Sequence, residues 1–195
     1  KTYKRVKESV NAFPSLNIRV FKHKENLGLG AALATGKKNA NSEYITIVPA
    51  DGQFDVLELK KFLSNVVKAD MVIGYRKNRS ADTFLRRLSS NVFTVLTRSL
   101  FKTNIKDFNW IHIYKRARFN NIQIESKGVF SLAELILKSK KNNIRVLEIP
   151  SSYYPRRDGK SKNLNTQRVF ETLKEMFRFW IHTFQVHQPK DTKNI

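Results

Sequence analysis

At 195 residues the chain has the length of one domain and can bury a substantial core. Its 41% hydrophobic and 27% charged residues exclude a disordered chain, and the lack of cysteine excludes disulfides, thiolate zinc sites and a Cys nucleophile. With 37 Lys+Arg against 16 Asp+Glu the net charge is +21, which calls for an anionic partner: nucleic acid, a membrane surface or a phosphorylated small molecule.

Val6, Val10 and Phe13 read as the end of a helix stopped at Pro14. Ile18 to Phe21 is a short strand pattern, Asn26 to Gly30 a turn, and Ala31 to Ala40 an Ala-rich helix. The β-branched run Tyr44 to Val48 predicts a buried strand ended by Pro49. Val56, Leu59, Phe62, Leu63 and Val66 recur at helical spacing, and Met71 to Ile73 is another short strand. Alternation of strand and helix predicts an α/β fold with a mostly parallel sheet. In the second half, amphipathic helices are expected over about 84–101 and 166–187, a further helix over 132–141 and a last strand from Ile144 to Ile149. Residues 151–165 read as a polar, basic loop. The expected organisation is a single domain over 1–188 with a disordered tail, 189–195. No apolar run approaches the ~18–20 residues of a membrane-spanning helix.

The segment from Val48 to Asp55 carries the strongest chemical signal, because it places two carboxylates and an amide just after a strand. Open α/β sheets bind ligands at such strand ends. Asp51 and Gln53 are hard oxygen donors suited to Mg2+ or Mn2+, although Asp51 also suits an Asx turn. Asp55 and Glu58 have the spacing of a capping box for the next helix. Glu134 fits a capping box with Ser131 and equally a catalytic carboxylate. The four His residues have no metal-ligand spacing. From Gly74 to Arg116 there are ten Lys/Arg against two Asp. Phosphate recognition uses such cations, and Arg supplies a planar fork for its oxygens. Solvated helix positions are the plain alternative for Arg86 and Arg87. The apolar stripe of the last helix, including Phe177, Trp180 and Phe184, suits either core packing or a bilayer surface.

Several segments taken in order resemble glycosyltransferase family 2 enzymes of the GT-A fold, close to the polyprenyl-phosphate (dolichol-phosphate) sugar transferases. Asn26-Leu27-Gly28-Leu29-Gly30-Ala31-Ala32 is similar to that family's N-x-G-x-G-x-A turn, and Pro49 to Gln53 to its D-x-D-G-Q site. Gly74-Tyr75-Arg76 resembles G-x-R, Arg86 to Ser90 resembles R-x-x-x-S, and Asp107-Phe108-Asn109 resembles D-x-n. Ala133-Glu134-Leu135 is similar to x-E-L, and Tyr154 to Lys162 to y-x-R-x-x-G-x-S-K. Pro49 replaces the first Asp of D-x-D, and Trp110 to Ile113 replaces the family's Cys-Gly-Phe-Lys.

The resemblance implies a GT-A (Rossmann-like) sheet flanked by helices, truncated at its amino terminus before Lys1, where the family carries a strand and an Asp-Asp-Gly-Ser loop. It implies sugar transfer from a nucleotide sugar to a polyprenyl phosphate with a divalent ion, Mg2+ or Mn2+, held by Asp51 and Gln53. Arg156 and Lys162 would neutralise the donor diphosphate, and Arg76, Arg86 and Ser90 would bind the acceptor phosphate. Asp107 and Arg156 are the expected catalytic residues, Asp107 as the base for a hydroxyl acceptor. The expected location is peripheral, on the cytoplasmic side of an anionic membrane. A basic nucleic-acid-binding module and an inactive transferase fragment are the alternatives. Against the first, the aromatics are mainly Phe at core-like positions and no RNA- or DNA-binding signature is present, so no nucleic-acid partner is expected.

Overall fold

The computed structural model describes residues 2–80, 82–156 and 166–185. Helices α1 (Thr2–Ala12) and α2 (Gly28–Asn39) precede strand β1 (Tyr44–Ile47). A 3-10 turn at Val56–Glu58 leads into the short α3 (Leu59–Leu63), followed by β2 (Met71–Arg76) and the long α4 (Phe84–Phe101). Then come β3 (His112–Lys115), α5 (Arg116–Phe119), α6 (Phe130–Lys141), β4 (Val146–Ser151) and α7 (Thr166–Gln185).

The four strands form one sheet in the order β1-β3-β2-β4. β2 and β4 are parallel, whereas β3 runs antiparallel to both β1 and β2. The α/β class is as expected and β1, β2 and β4 share one direction, but the sheet is not fully parallel: the reversed β3 sits between β1 and β2. That strand, His112–Lys115, begins within the β-branched and aromatic run Trp110 to Tyr114, which is a local strand signal.

Alternation along the strands sends Met71, Ile73 and Tyr114 to one face, and Val72, Ile111 and Ile113 to the other. The first face is covered by α4, α6 and α7 through Phe93, Phe101, Phe130, Leu135 and Met176. The second packs on Phe54, Phe62, Val66 and Trp110. Gly74 is required on that side, because a Cβ there would lie 2.8 Å from the Phe62 ring and 2.9 Å from Trp110.

Other boundaries also differ from expectation. Ile18 to Phe21 joins no strand, and Phe21 is 52% exposed. β4 continues through Pro150, which an edge strand tolerates because its missing N–H faces no neighbour. The expected closing loop beyond Arg156 and the tail 189–195 lie outside the described residues.

Candidate active site

One end of the sheet collects the polar residues. β1 runs into the 48–55 turn, β2 ends at Arg76, β4 ends at Ser151, and the reversed β3 is entered through 107–111. In the turn, Oδ1 of Asp51 accepts the backbone N–H of Gln53 (3.2 Å) and Oδ2 accepts Nη2 of Arg156 (2.8 Å). Asp51 therefore makes the Asx turn and also faces a cation. The buried Gln53 donates from Nε2 to the Tyr153 hydroxyl (2.7 Å) and the Tyr154 carbonyl (3.3 Å). Its own carbonyl accepts from the Tyr154 N–H (3.0 Å), which ties the turn to the chain after β4.

Asp55 caps the following turn by accepting from the Leu57 N–H at 2.9 Å. Glu58 does not complete a capping box. It accepts instead from the Ser151 hydroxyl (2.8 Å) and the Ser152 N–H (3.0 Å). Burial would raise the pKa of Glu58, but the bonds from Ser152 and Ser151 lower it on balance.

Arg76 and Asp107 form a buried, two-pronged ion pair, Nε to Oδ2 at 2.7 Å and Nη2 to Oδ1 at 3.0 Å. Their side chains are only 6% and 9% exposed. Asp107 also accepts the N–H groups of Arg76 (3.3 Å) and Asn109 (3.1 Å), so each carboxylate oxygen takes two bonds. The Arg76 guanidinium carbon lies 5.4 Å from the Trp110 ring centroid and 5.3 Å from that of Tyr153. Two expected roles meet this geometry: Asp107, expected as a base, has its lone pairs engaged as the counter-ion of Arg76, and the fork of Arg76, expected at the acceptor phosphate, is occupied by that carboxylate.

Asp82, whose side chain is fully buried, organises a second cluster. Its Oδ2 accepts from Nε (2.9 Å) and Nη2 (2.7 Å) of Arg79, its Oδ1 accepts from the Tyr153 hydroxyl (2.7 Å), and Nε of Arg86 forms an ion pair with the same Oδ1 at 3.1 Å. Burial would raise the Asp82 pKa, but these donors hold it below the ordinary carboxylate value. Arg79 Nη1 donates to the Ser90 hydroxyl at 2.8 Å. Arg86 and Ser90 are thus joined through Asp82 and Arg79, neither of which carried a role in the sequence reading. The spacing of Arg79, Asp82 and Arg86, three and four residues apart, was the available signal. Tyr153 had none, because its partners Gln53 and Asp82 lie 100 and 71 residues away in sequence.

The remaining candidates are structural or undescribed. Glu134 is fully buried and accepts from the N–H groups of Glu125 (3.0 Å) and Ser126 (2.8 Å) and from Lys138 Nζ (2.7 Å), so it holds the loop before α6. That loop meets the glycine turn: a Cβ on Gly28 or Gly30 would strike the carbonyls of Lys127 or Ser126, and Gly28 has φ +87°. The N-x-G-x-G segment is therefore a packing device. His112 is fully buried among the core residues, and neither ring nitrogen has a hydrogen-bond partner among the described residues. Lys162 lies outside the described residues.

A family model described as glycosyl transferase family 2 matches residues 2–132. The chain belongs to glycosyl transferase family 2. It is 25% identical over 138 residues to an uncharacterized glycosyltransferase of Mycobacterium tuberculosis (strain ATCC 25618 / H37Rv), covering 69% of this chain and 63% of the relative. It is 23% identical over 186 residues to the dolichol-phosphate mannosyltransferase of Pyrococcus furiosus, covering 91% of this chain and 51% of that one. This family 2 chain thus spans less than two thirds of either relative. Its fold is similar to that of glucosyl-3-phosphoglycerate synthase from Mycobacterium tuberculosis, solved in complex with Mn2+, UDP-glucose and phosphoglyceric acid. The TM-score is 0.57 at 11% identity, over 86% of this chain and 59% of the other.

For a family 2 chain the donor set at the turn is sparse. Among the described residues no group of three or more His, Cys, Asp or Glu could hold a metal ion. One carboxylate and one amide oxygen nonetheless fit Mg2+ or Mn2+, which use few protein ligands when substrate phosphates and water complete the shell. Asp51 already faces the Arg156 cation, and the Gln53 side-chain bonds seen among the described residues both run from Nε2.

Proposed function

We propose that this chain is part of a glycosyltransferase that moves a sugar from a nucleotide sugar to a polyprenyl phosphate at an anionic membrane surface. The carrying observation is the face of α4. Phe84, Leu85, Leu88, Val92 and Val95 lie on one side of that helix and are 49–70% exposed, while Arg86 and Ser90 on the same helix join the buried Asp82 cluster. An apolar face beside an arginine cluster suits an amphiphilic phosphate. α7 adds exposed Phe170, Phe177 and Ile181, while its Leu173 and Phe179 pack on the core. Among the described residues no helix is long and apolar enough to cross a membrane. The proposed location is peripheral, on the cytoplasmic side, where an anionic surface would attract the +21 chain.

An acceptor phosphate is ionised at neutral pH, so its oxygen attacks the anomeric carbon without a base. The bond from that carbon to the donor diphosphate breaks, and the nucleoside diphosphate leaves. Arg156, at the turn that carries Asp51, would neutralise the departing charge, with Lys162 as its expected partner. Asp51 and Gln53 would hold the divalent ion, which supplies further charge neutralisation at the diphosphate. Arg86 and Ser90 would bind the acceptor phosphate. The likeness to the dolichol-phosphate mannosyltransferase supports a lipid-linked acceptor. The test is sugar transfer by the complete protein from radiolabelled nucleotide sugars to a polyprenyl phosphate, with and without Mn2+. Transfer to a soluble phosphate alone overturns the lipid reading.

A further inference from the structure

We propose that Arg79, and not Arg76, is the second arginine of the acceptor-phosphate site, completing a three-point set with Arg86 and Ser90. The inference rests on the acceptor reading above and departs from it at this residue. Arg76 has its fork filled by Asp107 and its plane enclosed by Trp110 and Tyr153, with only 6% of its side chain exposed. A phosphate could reach it only by breaking a buried ion pair, which is costly.

Arg79 and Arg86 are differently placed. Their side chains are 19% and 22% exposed, and both are held by the single carboxylate of Asp82. Two guanidinium groups against one carboxylate leave one positive charge in excess. Arg79 spends Nε and Nη2 on Asp82 and directs Nη1 to Ser90. Arg86 reaches Asp82 through Nε, and among the described residues its Nη1 and Nη2 make no hydrogen bond. Each arginine is therefore fixed by one edge and keeps donors for another anion. The Ser90 hydroxyl accepts from Arg79, so its own proton remains to be donated to a phosphate oxygen. The Tyr153 hydroxyl donates to Asp82 and accepts from Gln53, which links this set to the turn proposed to hold the donor.

The ligand chemistry is a phosphate monoester, which a lipid or a soluble metabolite can present. Calorimetric titration of the full chain with geranyl phosphate and, separately, with 3-phosphoglycerate distinguishes the two sources, with geraniol as the uncharged comparison. The expected result is binding of geranyl phosphate, no binding of geraniol, and a loss of about tenfold or more in Arg79→Gln. Ser90→Ala removes one hydroxyl from the same set and is expected to lose about fivefold; it carries the test if Arg79→Gln does not fold, as judged by circular dichroism. If Arg86→Gln loses binding while Arg79→Gln and Ser90→Ala bind like the unmodified chain, the role of Arg79 is overturned and the acceptor reading stands. If the unmodified chain binds neither phosphate, both are overturned. Binding of 3-phosphoglycerate in preference to geranyl phosphate, with the same loss in Arg79→Gln, supports the site and overturns the lipid source.

Discussion

Arg156 places Nη2 2.8 Å from Oδ2 of Asp51, so a residue beyond β4 neutralises the carboxylate of the turn that follows β1. The two side chains are similarly accessible, 26% and 27% exposed, and either can exchange its partner for a ligand. Arg156→Ala should therefore do two things in the complete enzyme. Losing one preorganised charge donor should lower turnover by about 2–4 kcal/mol of transition-state stabilisation, more than it weakens nucleotide binding. It should also release Asp51, so the Mn2+ concentration for half-maximal activity should fall. Steady-state kinetics with Mn2+ titration checks both. A rise in KM alone would assign Arg156 to uniform binding.

Asp51→Asn should abolish divalent-ion-dependent turnover, because it removes the carboxylate from the candidate ligand pair. The assay is turnover at saturating nucleotide sugar across a Mn2+ series. Unchanged activity would place the ion elsewhere.

Arg76→Gln and Asp107→Asn should each act mainly on stability. Removing one partner leaves the other charge buried, at a cost of about 3–5 kcal/mol. Urea unfolding should show a lower midpoint with an unchanged slope. If either variant unfolds like the unmodified protein while losing phosphate binding, the pair belongs to the acceptor site after all.

Burial pushes the pKa of His112 down from 6.5 to about 4, although the Asp107 charge and the Phe108 backbone favour its protonated form. The unfolded chain therefore takes up its proton first as pH falls. The stability from a neutral His112 is complete above about pH 6.5 and is lost progressively down to about pH 4, roughly 3 kcal/mol in all. Asp82, Asp70, Glu58 and Glu134, all with lowered pKa values, add losses at more acidic pH. His112→Leu, a replacement of similar volume, should flatten the unfolding midpoint between pH 6.5 and 4 and leave the steeper acid limb. An unaltered profile would remove His112 from this account.

If the α4 and α7 faces meet a bilayer, the protein should sediment with anionic vesicles more than with neutral ones, and less so at high salt. Leu88→Ser with Val92→Ser, or Phe170→Ser with Phe177→Ser, should reduce the salt-resistant part of binding. These side chains are 44–69% exposed, so thermal unfolding without lipid should change little. A large drop in unfolding temperature would make the faces part of the core. Trp180 is unsuitable for this test because it is half-buried.

Local pattern by itself determined the α/β class, the end of α1, the range of α4 and the turn after β1, because caps, periodicity and β-branched runs act over a few residues. The order of segments also carried the family. Only the tertiary structure decided the direction of β3, since a strand's partner and orientation are set by long-range pairing. It alone decided that Ile18 to Phe21 has no strand partner and that α7 has both a core face and an exposed apolar face. The same limit applied to charge. Asp107, Arg76 and Arg86 look alike in a sequence as polar site residues, but burial and hydrogen-bond occupancy separate them. Arg76 and Asp107 cancel each other under two aromatic rings, whereas Arg79 and Arg86 share one carboxylate and retain a charge for a ligand. That distinction depends on which side chains meet across 31 residues in one pair and across 71 between Asp82 and Tyr153, separations that no local spacing encodes.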